Sequence, residues 1–194
     1  LGKTIWEEPR GMKAGYAWPQ YSVHRGKLQM MLYHALIDRA GPGCIATGAR
    51  AIGFEQDETG ASLQLADGRD VAGQLIVAAD GIHSALRQQM YPTEGAPIWN
   101  GRILWRATAR AKPFKGAAAM VMIGHDQLRL VAYPISAPDA SGLATINWIA
   151  EKSFDPSSPW TKEDWNRAAD IQVFVADFEP WRFDWIDVPA LIRS

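Results

Sequence analysis

Two stretches of the sequence hold residue types whose spacing could do chemistry. Residues 74–92 read QLIVAADGIHSALRQQMYP: a short apolar run (Leu75, Ile76, Val77, Ala78, Ala79), then Asp80-Gly81, then Ser84 ahead of a short helical segment that Pro92 stops. A continuously apolar run of that length is the pattern of a strand buried on both faces. Serine is a good helix N-cap. Strand, Asp-Gly turn and helix start together bring unpaired backbone N–H groups to the carboxyl end of a buried strand, where dinucleotide pyrophosphates bind in open α/β sheets. The same residues also make an ordinary strand-to-helix turn, and the stretch alone does not separate the two.

The second stretch opens at Arg25. From His24 the apolar residues Leu28, Met31, Leu32, Ala35 and Leu36 recur at helical spacing until Gly41-Pro42 ends the pattern. A cation at a helix start is disfavoured by the macrodipole, by a few tenths of a kcal/mol or more. Either Arg25 is a solvated surface charge, or it faces an anion or polar cofactor that offsets the cost. Both readings stand on the local sequence.

Elsewhere the side chains offer no catalytic constellation. There is no CxxC, HExxH, P-loop or Gly-x-Ser-x-Gly elbow, and His24, His34, His83 and His125 are scattered as surface or turn residues would be. No metal ligand set is expected, and no catalytic residue is singled out. An enzyme with this sequence must rely on a cofactor for the hard chemistry.

The composition is that of a globular domain, with 47% hydrophobic and 21% charged residues. A net charge of -1 argues against nucleic acid or an anionic membrane as partner. No apolar run approaches the ~20 residues of a membrane span. One cysteine, Cys44, excludes an internal disulfide framework and fits a reducing, cytoplasmic compartment. Nine tryptophans suit either an apolar core or a flat pocket for aromatic ligands. The chain starts at Leu1 rather than a methionine and is expected to be a piece of a longer protein.

The elements that must position these residues read as follows. Residues 1–23 suggest two extended segments, Thr4-Ile5-Trp6 and 16–23, around Pro9-Arg10-Gly11. Residues 44–79 suggest a three-strand meander (45–54, 62–66, then an Asp67-Gly68 hairpin) feeding the buried strand. Residues 102–108, 118–123, 128–134 and 143–151 suggest an antiparallel sheet. Thr161-Lys162-Glu163-Asp164 has the outline of a helix start, and Ile171, Phe174, Val175 and Phe178 form a helical apolar stripe up to Pro180. The domain change falls near residues 91–96.

The segments YSVHRGKLQMML (21–32) and AADGIHSALR (78–87) resemble the paired signatures of the FAD-dependent aromatic hydroxylases, the single-component flavoprotein monooxygenases. Longer segments, EPRGMKAGYAWPQYSVHRGKLQMML, VAYPISA, INWI and DWNR, resemble the phenazine-hydroxylating members, in the same order. The resemblance implies an α/β (α+β) fold: residues 22–92 as a portion of a Rossmann-like FAD/NAD(P)-binding domain, and residues 1–21 with 93–194 as a substrate domain with a mixed or antiparallel sheet. It implies that Arg25 meets the flavin cofactor, that Asp80 and Gly81 lie near its pyrophosphate, and that the backbone of Ala51 meets its adenine. Arg87 is expected to brace the fold.

The family's glycine-rich fingerprint and its ribityl-contacting Gly-Asp segment are not in this sequence; the resemblance places both in the longer parent. It also implies FAD, NAD(P)H and dioxygen as co-reactants, and hydroxylation of a small aromatic ring through a flavin hydroperoxide. Other chemistries on the same fold (epoxidase, halogenase, reductase) and an idle aromatic-binding module remain open. Within 128–134, Leu128, Leu130 and Ala132 alternate with Arg129, Val131 and Tyr133, so the two sets point to opposite faces. The resemblance sets the even-numbered residues over the flavin ring, with Leu130 and Ala132 as substrate wall and Tyr133 as a further contact. The competing expectation is that the even face packs on residues 171–178. No histidine stands on this strand, although some relatives carry a catalytic one there.

Overall fold

The computed structural model describes residues 2–157 and 167–194. The chain forms two compact units, Met30–Trp99 and Leu1–Gln29 with Asn100–Ser194. The expected helix start at 161–164 lies outside the described residues.

Helix α1 (Arg25–Ala40) begins where His24 turns the chain: its carbonyl accepts the first helical bond from Leu28 N (3.1 Å). Gly41 ends the helix at φ +85°, and its N–H reaches back to the Ile37 carbonyl (2.8 Å). This is the left-handed cap that glycine adopts without a steric penalty. The apolar stripe has the expected spacing but is not covered: Leu28, Met31, Leu32 and Leu36 are between 38% and 61% exposed.

Strands β1 (Ala51–Asp57), β2 (Gly60–Leu65) and β3 (Asp70–Gly73) make an antiparallel meander in that order. The first strand starts at Ala51 rather than Ile45, beside a bulge between Ala51 and Gly53. Both turns are closed by aspartates. Asp57 Oδ1 accepts from Thr59 N (2.7 Å), Thr59 Oγ1 (2.6 Å) and Gly60 N (3.2 Å); Asp67 accepts from Arg69 N (3.1 Å) and Nε (2.8 Å).

Helix α2 (Ala85–Met90) is tied to β1 by one side chain. Gln89 Nε2 donates to the Phe54 carbonyl (2.6 Å), and its Oε1 accepts from Phe54 N (2.9 Å). Gly53 leaves room for this, since a Cβ there would lie 3.1 Å from Gln89 Oε1 and 2.9 Å from Gln64 Oε1.

Residues 75–79, expected as a buried strand, form none. Leu75 and Val77 are both 79% exposed, and no described strand pairs with them. The run has the composition of a central strand, but a strand of that kind needs a hydrogen-bonding neighbour on each side. Residues 2–23 also fail to pair. They hold one short 3-10 turn, Gly11–Ala14, and Ile5, Trp6 and Trp18 stay largely exposed. Gly11 is irreplaceable there: at φ +57°, a Cβ would sit 2.5 Å from the backbone N of Gln20.

The other unit is built on an antiparallel sheet of β4 (Arg102–Ala111), β5 (Val121–Gly124), β6 (Leu128–Pro134) and β7 (Ala144–Ser153), ordered β4-β7-β6-β5. One face is sealed. Leu130, Ala132, Ala144, Ile146 and Ala150 have no exposed area, and Trp148 keeps 3%. Phe174, Val175 and Phe178 cover them, with Trp105 stacked on Phe174 at 4.5 Å. The covering segment is not one α-helix but two 3-10 turns, Ile171–Val173 and Val175–Phe178. After them come a hairpin of β8 (Arg182–Phe183) and β9 (Ile186–Asp187) and helix α3 (Val188–Arg193), whose N-cap Asp187 accepts from Ala190 N (2.9 Å). Val188, Leu191 and Ile192 close the core. Neither hairpin nor helix was anticipated from sequence.

Ala132→Phe forces a ring into this closed core and should lower stability by about 1–3 kcal/mol. Val131→Phe, one residue along on the other face, should shift the urea midpoint far less. Equal midpoints for the two variants would contradict the sealed face.

Candidate functional site

Asp80 and Ser84 act together. Ser84 Oγ donates to Asp80 Oδ1 (2.5 Å) and accepts from Arg87 N (2.9 Å), while Leu86 N points at Asp80 Oδ2 (3.4 Å). The N–H groups that the sequence offered to an anion are therefore held by the chain's own hydroxyl and carboxylate. The Ser84 hydroxyl, foremost, keeps the Asp80 carboxyl below its ordinary range. Gly81 is exposed at φ +86°, and a Cβ built on it meets nothing within 4 Å, so open space lies over the turn. Arg87 braces this corner: its Nε pairs with Glu94 (2.9 Å) and its Nη2 donates to the Ile82 carbonyl (3.3 Å).

Arg25 is the first residue of α1 and is exposed. Ala51 is half-buried, opposite Leu65 at the bulge. A cleft of about 340 Å³ runs between β1, residues 74–78 and α2. Asp57 and Glu58 stand on its rim, which suits an anionic phosphate poorly. The N-terminal amides of α2 are already held by Ser84 and Asp80 and do not offer an anion site.

The sheet corrects the substrate expectation. Leu130 and Ala132 line no space; they are core. The sealed face is the even-numbered one because Phe174 and Phe178 need an apolar surface and Ala132, Ala144 and Ala150 leave room for their rings. Tyr133 is on the opposite face, half-buried, directly across from Asn147, which in turn faces Thr108 on β4. On the same face Arg106, Ile149, Val131 and Met122 form one cross-strand row. Leu104 and Met122 are 43% and 61% exposed. Glu151 pairs with Arg102 and, at 3.9 Å, with Arg129. The amide nitrogen of Asn147 is buried without a hydrogen-bond partner, an arrangement that costs about 1–3 kcal/mol unless something completes it. The sequence-based reading passed over this face. Its signal is the alternation in β4, where Arg102, Leu104, Arg106, Thr108 and Arg110 take turns with Ile103, Trp105, Ala107 and Ala109. Among the described residues there is no group of three metal-ligating side chains and no helix long and apolar enough to cross a membrane.

No family model matches the chain. Individual proteins do. The phenazine 1,6-dicarboxylic acid hydroxylase PhzS of Lysobacter antibioticus is 36% identical over 202 residues, covering 98% of this chain and 49% of that protein. The chain belongs with the FAD-dependent aromatic hydroxylases. The FAD-dependent monooxygenase atnJ of an Arthrinium species is 29% identical over 92% of the chain and 42% of its own length. Among solved structures, Klebsiella pneumoniae HpxO complexed with FAD and uric acid matches 85% of this chain and 39% of its own with TM-score 0.54 and 22% identity, a likeness of fold. The chain spans about half the length of the curated relatives it matches. The HRxxL and ADGxxSxxR segments form the head of α1 and the capped corner before α2.

Two outcomes test the corner. Ser84→Ala removes the cap of α2 and should cost about 1 kcal/mol. Because the folded Asp80 carboxyl titrates below its unfolded value, its stabilisation is complete above about pH 3.9 and is lost as pH falls through the folded value. Urea unfolding of wild type and Asp80→Asn between neutral and strongly acidic pH should therefore show a stability gap that closes at the acid end. A gap independent of pH would mean the carboxylate does not hold the corner.

Proposed function

We propose that this chain is part of an FAD-dependent monooxygenase that uses NAD(P)H and dioxygen to hydroxylate a small aromatic substrate, phenazine-like in shape. Residues 22–92 belong to its FAD-binding domain; residues 1–21 and 93–194 form its substrate domain. The observation that carries this reading is likeness across 98% of the chain to a phenazine dicarboxylate hydroxylase.

FAD, when bound, would supply the redox chemistry that activates dioxygen for hydroxylation of the ring. The chain's own residues bind and orient. The Arg25 guanidinium gives the cofactor a fixed positive contact, and Gly81 lets it approach the backbone closely. Ala51 offers backbone at the strand bulge. The open face of the β4–β7 sheet forms the substrate wall: Val131, Ile149 and Met122 exclude water from one side of the ring. Tyr133 and Asn147 give hydrogen bonds that orient an oxygen substituent.

The full-length protein should purify yellow, with FAD, and should consume NAD(P)H faster when an aromatic acid or phenazine substrate is present. A folded, colourless protein whose melting temperature does not respond to FAD would overturn the reading. Arg25→Ala should weaken FAD binding roughly tenfold to hundredfold, the loss of one charge-assisted contact of about 1.5–3 kcal/mol. FAD affinity should fall by more than the melting temperature without FAD, and unchanged FAD affinity in a titration would show that Arg25 does not meet the cofactor.

A further inference from the structure

The sequence holds one Asn-Gly pair, Asn100-Gly101, and the fold has a use for both members. Asn100 is exposed and stands where the chain enters β4. Its Oδ1 accepts from Arg102 N (3.1 Å), closing a short turn through the side chain. Gly101 is buried at φ +79°, and a Cβ on it would stand 2.6 Å from the Phe154 carbonyl oxygen, so a larger residue would have to move the backbone. The Gly101 carbonyl accepts from Phe154 N (2.6 Å), beside the first ladder pair of β4 and β7, Arg102 with Ser153. The same pair is chemically weak. Asparagine is thermolabile because the next backbone nitrogen can attack its side-chain carbonyl, and glycine, without a side chain, hinders that attack least. Among the described residues nothing accepts from the Gly101 N–H, and nothing holds Asn100 Nδ2. The nucleophile is unbonded, the leaving group is untethered, and the carbonyl between them is polarised by the Arg102 N–H.

We propose that Asn100 is a site of spontaneous covalent modification, deamidating through a cyclic imide with Gly101 to aspartate and isoaspartate. The Gly101 nitrogen gives up its proton to base in the solvent and bonds to Asn100 Cγ; the Cγ–Nδ2 bond breaks, and Nδ2 takes up a proton and leaves as ammonia. Water then opens the imide at either carbonyl. Opening at the Cγ–N bond gives aspartate on the original backbone. Opening at the bond from the Asn100 main-chain carbonyl carbon gives isoaspartate, whose backbone runs through Cβ and Cγ. One water is consumed, one ammonia is released, and nothing is oxidised or reduced. The aspartate keeps an acceptor for Arg102 N. Isoaspartate lengthens the chain by one carbon immediately before β4 and removes that side-chain turn, so the Gly101–Phe154 bond must shift. None of this depends on the reaction the protein catalyses.

The test incubates the folded full-length protein in neutral to mildly alkaline buffers and maps its peptides by mass spectrometry over time. The peptide holding Asn100 should gain one mass unit, and part of the product should be labelled by an isoaspartyl methyltransferase. Conversion should quicken as pH rises, since the Gly101 nitrogen must lose a proton, and should run several-fold ahead of conversion at Asn147 within β7. Asn100→Ser keeps a hydroxyl that can accept from Arg102 N but cannot form the imide; its peptide should stay unchanged while the melting temperature is kept. Should that variant fail to fold, a synthetic peptide spanning residues 96–105 supplies the reference, and the folded protein should convert no more than several-fold more slowly. An Asn100 that stays intact while the peptide converts, a rate equal to that at Asn147, or a rate indifferent to pH would overturn the assignment.

Discussion

The sheet of the larger unit depends on one contact: the covering of its inner face by Phe174, Val175 and Phe178, with Phe174 stacked on Trp105. Each fully buried side chain of this kind contributes about 1.5–3 kcal/mol, and an aromatic pair adds about 0.5–1.5 kcal/mol. Small residues on the strands, Ala132, Ala144 and Ala150, make room for the rings, so the two sides fit only in this arrangement. With one face dry, the residues that alternate with it, Arg106, Ile149, Val131 and Tyr133, make up the other face of the sheet.

The smaller unit is held by a different kind of force. Only Leu65 and Leu86 are buried apolar residues there. Its shape comes from polar fixtures: carboxylates that close two turns, the Asp80–Ser84 cap, and the Gln89 amide on Phe54. Polar fixtures set local geometry well but contribute about 1 kcal/mol each. Such a unit holds its turns in place while drawing little stability from its own core.

Much of this was legible in the residues, and the failures have physical causes. The bounds of α1 follow from His24, helical spacing and Gly41-Pro42, all local signals. The strands of the large sheet follow from period-two alternation and turn residues. Which face of 128–134 is buried is not local, because it depends on where residues 171–178 pack; the family resemblance pointed to the wrong face. The stripe at 171, 174, 175 and 178 satisfies an α-helix and a pair of 3-10 turns equally well, since both bring residues three apart to one side. Leu75 to Ala79 has the composition of a buried strand, yet pairing is a property of neighbours, and no described strand provides them. The row Arg106, Ile149, Val131 and Met122 is not legible in any one segment, because it exists only through register across four strands.

The Gln89 clamp has a consequence for how this protein meets other chains. Strand β1 lies at the edge of its meander, and an edge strand is where another chain can pair. At the midpoint of that rim, Phe54 already has both its N–H and its carbonyl taken by a side-chain amide that imitates a neighbouring strand. An intruding chain would have to displace the amide before it could zip along the rim.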